Sequence, residues 1–150
     1  MPLVKEVLRQ GLSNVWVVNR PYEGTHSRAI ALWADAMRNY LITITPPSTT
    51  VGTASDTFGL ELFVATDSMR NSTQYVSLAF ENLARSVGFG MPFTFTADPP
   101  KDFPIDEIMR KGYRVSTKSD GLDIWVDEIH EWFKTGVAID NNTGTRTPWV

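Results

Sequence analysis

Apolar side chains recur at helical spacing along most of this chain, and glycine and proline punctuate the intervals between them. Leu3, Val4, Val7 and Leu8 share one face of a short amphipathic helix over 3–12, with Gly11 marking its end. Val15-Trp16-Val17-Val18 is a β-branched and aromatic run that reads as a short strand or an extended segment. A longer helix is predicted over 25–43, because Ile30, Trp33, Met37, Tyr40, Leu41 and Ile44 fall on one stripe, with Ala29 and Ala36 small enough for close approach. Pro46-Pro47 stops it, since neither proline has an amide hydrogen to continue the ladder. Residues 48–51 then read as a cap or turn.

Over 53–64 the pattern is double. Phe58, Leu60, Leu62 and Phe63 suit a helix, while the alternation Leu60, Leu62, Val64 fits a strand equally well. Asp67 is the expected cap of a helix running to about Val87, with Met69, Val76, Phe80, Leu83 and Val87 as its stripe and Gly88-Phe89-Gly90 as its stop. Glycines and prolines make 88–104 an irregular loop, in which 92–96 alternates like a short edge strand. Pro104 suits the first turn of a short helix through Arg110. Ser119 or Asp120 caps the last helix, to Thr135, with Leu122, Trp125, Val126, Ile129, Trp132 and Phe133 inward and Gly136 at its end. The fold class is therefore mainly α: a single helical domain of about four to five helices over 1–136, followed by an extended C-terminal tail over 137–150.

Two of the predicted helices are alike. At a constant offset of 92, Ser27, Trp33 and Asp35 match Ser119, Trp125 and Asp127, and Ile30, Leu32, Met37, Tyr40 and Leu41 meet apolar partners. Such a pair can pack pseudo-symmetrically, tryptophan facing tryptophan. Any two amphipathic helices with an aromatic stripe align comparably, and an offset of 92 in 150 residues leaves no room for two full copies.

Composition removes several classes of function. With 14 basic and 17 acidic side chains the net charge is −3, which excludes a strongly basic protein that coats nucleic acid. No cysteine means no disulfide scaffold, no thiol nucleophile and no thiolate metal site. His26 and His130 are the two histidines, too few for a zinc site without carboxylate help. No apolar run approaches the ~20 residues that span a bilayer, and charges at Lys5, Glu6 and Arg9 interrupt what would be a signal core. A cytoplasmic origin is expected, so the triplets at Asn71 and Asn141 are not read as glycosylation sites.

Candidate chemistry is sparse. Asp123, Asp127 and Glu131 share one face of the last helix, with Glu128 and His130 beside them. A cation site needs ligands from several elements, so a solvated acidic face, or a docking strip for a basic partner, is the simpler account. Asp140-Asn141-Asn142-Thr143-Gly144 starts like a calcium loop, but its glycine comes one place early and no glutamate follows, which leaves a turn. No hydrolase elbow, phosphate-binding loop or kinase signature occurs. Trp33, Trp125 and Trp132 read as core. Tryptophan also concentrates at interface hot spots, and the contact residues expected here are Trp16, Tyr22, Phe93, Phe95 and Trp149.

The stretch ALWADAMRNYLITITPPSTTVGT, residues 31–53, carries a resemblance. An aromatic-and-alanine helix ending in Pro-Pro-Ser, then a small-residue helix with a phenylalanine, is similar to small structural proteins of tailed bacteriophages. The likeness spans residues 27–63 and is one of pattern and composition; the 93–104 loop and the last helix have no counterpart in it. It implies a non-enzymatic subunit of the virion, in the tail, baseplate or neck, assembled in the host cytoplasm. Its expected partners are further copies of itself and other virion proteins, without cofactor, metal, nucleic acid, membrane or small-molecule substrate. Two alternatives come from the residues: a small adaptor that binds a basic partner through the acidic last helix, and a hydrolase using His130 with Asp127.

Overall fold

The computed structural model describes residues 2–16, 24–67, 73–115 and 117–150. Six helices occur among them: α1 (Lys5–Leu12), α2 (His26–Leu41), α3 (Val51–Ala65), α4 (Thr73–Phe89), α5 (Ile105–Gly112) and α6 (Lys118–Phe133). Three short strands, β1 (Phe95–Asp98), β2 (Val137–Asp140) and β3 (Arg146–Pro148), form one antiparallel sheet in the order β1-β2-β3. The fold is mainly α, with six helices where four to five were expected.

Each helix packs on the next in sequence, and α6 closes back on α1. Aromatic rings fill the middle of this ring of helices. Phe80 of α4 stacks on Phe103 with centroids 4.1 Å apart and meets the edge of Phe58 of α3 at 4.9 Å. Trp132 of α6 meets Phe103 and Phe133, each at 5.0 Å. Burial of a phenylalanine of this kind contributes about 1.5–3 kcal/mol, which makes the centre the main source of cohesion.

The double pattern over 53–64 resolves into the helix α3. Ala54, Phe58, Leu62 and Ala65 are buried at helical spacing against α2 and α4, whereas Leu60 and Val64 face outward. The apparent alternation therefore mixes two faces of one helix. Thr50 occupies the N-cap position of α3 without capping it. Its hydroxyl donates instead to the carbonyl of Ser86 (2.6 Å), Ser48 Oγ donates to Val87 O (2.6 Å), and Thr49 N donates to Gly90 O (2.9 Å). The Pro-Pro-Ser-Thr-Thr turn thus satisfies the orphan carbonyls at the end of α4. Asp67, expected to cap α4, lies in a bend after α3, and Met69 lies outside the described residues.

The two like helices, α2 and α6, have the same length at the expected offset of 92. Both are capped by threonine: Thr25 accepts from Arg28 N and Thr117 from Asp120 N. Thr117 replaces Ser119 or Asp120 as the expected cap. Trp33 and Trp125 meet edge to face at 5.6 Å across the centre.

The C-terminal residues are not a free tail. They form the hairpin β2–β3, and β1 pairs on its other side in the register Phe95↔Asp140 through Asp98↔Val137. Asp140 Oδ1 accepts from Asn142 N (2.8 Å) and Thr143 N (3.3 Å), and Gly144 takes φ +72°, so the calcium-like loop is a hairpin turn. Val150 N and O both pair with Thr45, which ties the chain end to the turn after α2.

Candidate functional site

The acidic face of α6 finds its cations inside the chain. Asp127 accepts from Lys5 Nζ at 2.9 Å and Asp123 from Arg9 Nε at 2.8 Å, so the i, i+4 spacing on α6 matches the i, i+4 spacing of Lys5 and Arg9 on α1. Glu128 takes Lys111 of α5, and Glu131 lies 3.8 Å from Lys134. The strip expected to receive a basic partner is therefore met by α1 and α5, and both Lys5 and Lys111 titrate higher because of these bonds.

His130 reaches across to α2. Its Nδ1 lies 2.7 Å from the Tyr40 hydroxyl of α2. Burial, then the Lys134 charge, lowers the His130 pKa, and burial, then the Glu131 carboxylate, raises that of Tyr40. With the imidazole neutral and the phenol protonated, Tyr40 donates and His130 accepts. The pair joins α2 to α6. Among the described residues no three metal-type ligands converge. A pocket of about 170 Å³, lined by Trp33, Phe80 and Trp125, has no titratable group in its wall among the described residues.

The five expected contact residues separate into three groups. Trp149 is fully buried: its ring lies beside Gly136 and Gly88, where an added Cβ would come within 2.5 Å and 3.5 Å of the indole. These glycines make the space that the ring fills, and Trp149 is withdrawn as a surface anchor. Trp16 is half-buried between Trp33 (5.4 Å) and Trp125 (6.1 Å), so it belongs to the intramolecular aromatic centre. Its backbone N–H, like that of Val15, bonds to Leu12 O, so residues 15 and 16 continue α1 as a turn, while Val17 and Val18 lie outside the described residues. Tyr22 lies outside the described residues. Phe93 and Phe95 are brought together, and Phe93 is 93% exposed.

Sequence reasoning missed the partners of Phe93. Phe89, the last residue of α4, is 86% exposed and joins Phe93 and Phe95 in a groove of about 450 Å³ between the end of α4 and β1. Capping by Ser48, Thr49 and Thr50 holds this end of α4 in place. A second apolar surface runs along the outer side of α3 and α4. Leu60 (72% exposed), Val64, Tyr75 and Leu78 line a groove of about 360 Å³ there. Phe63 stands next to them, stacked on His26 at 4.7 Å. The signal was present in the ambiguity over 53–64, because a helix apolar on both faces satisfies a helical and an alternating template at once.

Tyr75, Leu78, Asn82, Arg85 and Phe89 follow one another at i, i+3, i+7, i+10 and i+14, so one exposed stripe of α4 connects the two surfaces. Asn82 bridges its polar middle, donating to Glu61 (2.9 Å) and accepting from Arg85. What this arrangement can do is bury apolar area against another molecule. No helix among the described residues is long and apolar enough to cross a membrane. No family model, curated protein or solved structure matches this chain.

Proposed function

We propose that this chain is a non-enzymatic structural subunit of a bacteriophage virion, a tail, baseplate or neck component that acts through protein–protein contacts. The observation that carries the assembly part is the exposed apolar face of α3 and α4, with Leu60 and Val64 turned to solvent on a helix that is equally apolar on its buried side. A helix apolar all round is stable when both sides are covered, and contiguous apolar surface on a small protein marks a site of association. The phage part rests on the sequence resemblance over 27–63. Other copies of the chain and other virion proteins are the proposed partners, met after synthesis in the host cytoplasm.

Light scattering of the untagged protein over a wide concentration range tests the assembly reading. A discrete oligomer that Leu60→Glu dissociates, with helicity unchanged, supports it; a strict monomer at every concentration removes self-assembly. Quantitative mass spectrometry of purified particles tests the virion reading. A copy number that is a multiple of the particle's rotational symmetry supports it, and absence from the particles overturns it.

A further inference from the structure

The two edges of the small sheet are finished differently. Antiparallel ladders alternate, so each residue of an edge strand turns its backbone polar groups either toward its neighbour or away from the sheet. Asn141 N donates to Thr94 O, and Asp140 N to Thr145 O. With the observed registers, Thr94, Thr96 and Asp98 bond to β2, while Phe95 and Ala97 turn outward. On the far side, Thr145 and Thr147 bond to β2 and Trp149 to Gly136, while Arg146 and Pro148 turn outward. The β3 edge is thus blunted by a proline without an N–H and by an arginine. The β1 edge has neither. Phe95 N–H is used by Pro92 O, but the Phe95 carbonyl and both polar groups of Ala97 have no partner among the described residues.

This open edge borders the groove walled by Phe89 and Phe93. One charged residue lines that groove, Arg85, and it has no carboxylate within ion-pair distance among the described residues. Unpaired backbone groups in a row call for an extended backbone, the aromatic walls for apolar side chains at alternate positions, and the Arg85 guanidinium, which donates to the neutral Asn82 amide, for a carboxylate. We infer that the β1 edge accepts an extended, β-branched and acidic segment of a neighbouring protein chain, which adds a fourth strand to the sheet. This rests on the assembly reading and names how one neighbour attaches.

The test uses the full chain and two peptides, acetyl-Thr-Val-Thr-Val-Asp-amide and the same peptide ending in lysine, followed by amide chemical shifts. Saturable shifts at Ala97 and Phe89 are expected, with the acidic peptide bound about fivefold more tightly, the upper range for an exposed ion pair. Arg85→Glu is expected to reverse that preference. Ala97→Pro removes an outward N–H and no β1–β2 ladder bond, and is expected to weaken binding about tenfold. If that variant does not fold, Phe93→Ser supplies the same comparison from the groove wall. No saturable shift with either peptide at millimolar concentration overturns the proposal, as does equal binding of the two. Self-association without peptide capture overturns the strand-accepting edge alone, whereas capture by a protein that never assembles leaves this edge standing and removes the assembly reading.

Discussion

On α6, Asp123, Asp127 and Glu128 each meet a cation from another helix, and His130 meets a tyrosine. Where α4 gives way to β1, Phe89 and Phe93 are exposed, and Arg85 donates to a neutral amide, that of Asn82. By residue type α6 is the more suggestive region, with acids, a histidine and tryptophans at regular spacing. Its Asp123 and Asp127 nonetheless find cations within the fold, since α1 carries Lys5 and Arg9 at the matching interval. The α4–β1 end is a glycine- and proline-broken loop in sequence and keeps its aromatic rings outside. A clustered set of reactive residue types is informative about function only after its intramolecular partners have been subtracted.

The contrast is sharpest between Trp149 and Phe93, two aromatic residues from irregular stretches. Trp149→Ala is expected to cost about 3–5 kcal/mol in urea-unfolding experiments, as for other fully buried tryptophans. Phe93→Ala, at an exposed site, is expected to stay within about 0.5 kcal/mol of the parent. Equal losses at the two positions would erase the distinction between a core ring and a contact ring. Trp149→Phe is expected to cost less than the alanine change, because the indole N–H of Trp149 has no hydrogen-bond partner among the described residues and its loss removes a buried donor.

A smaller effect is expected at the Tyr40–His130 pair. Tyr40→Phe deletes one part-buried hydrogen bond and is expected to lower stability by about 0.5–1.5 kcal/mol, with no loss of helicity by circular dichroism. The pair also gives stability a pH dependence. In the folded chain the His130 pKa lies below its ordinary value of 6.5, through burial first and then the Lys134 and Lys5 charges, which outweigh the carboxylates of Glu131 and Asp127. Below 6.5 the unfolded chain therefore binds more protons than the folded one. This contribution is complete above about 6.5 and is lost as pH falls to the folded value. Urea midpoints at pH 7.5 and 5.5 check it, and His130→Gln is expected to flatten the difference.

The smallest effect is expected on the strip that looked most functional. Arg9 and Asp123 pair at a solvated surface, where screening is strong. A double-mutant cycle on the two positions is expected to yield a weak coupling that fades with added sodium chloride. A coupling insensitive to salt would mean that the strip is more enclosed than α1 makes it, and would weaken the contrast with the open α4–β1 end.

Much of the fold was legible. Helix α2 follows from one stripe, Ile30 to Leu41, and a proline stop, and α6 from its counterpart 92 residues later, with the facing of Trp33 and Trp125 anticipated from the alignment. The candidate surface was legible only in part. Phe93 and Phe95 stood out by alternation, but Phe89 read as loop punctuation, and the outward face of α3 was hidden in a pattern that fitted two periods. Caps were harder still: Ser48 and Thr50 serve the far end of α4, and no local rule assigns a hydroxyl to a carbonyl nearly forty positions away.

The sequence by itself determined most of the helices, α3 excepted, because periodicity, prolines and the absence of long β-branched runs act over a few residues at a time. It also determined what chemistry is missing, since no thiol exists and histidine is scarce. Only the tertiary structure decided which side chains remain available. Trp149 is buried because Gly136 and Gly88 come together beside it, and the acids of α6 are neutralised because α1 lies across them. Phe89 and Phe93 stay exposed because β1 is an edge strand, with no further strand paired to it among the described residues. Each of these outcomes is set by contacts between residues far apart in the chain, which local pattern does not encode.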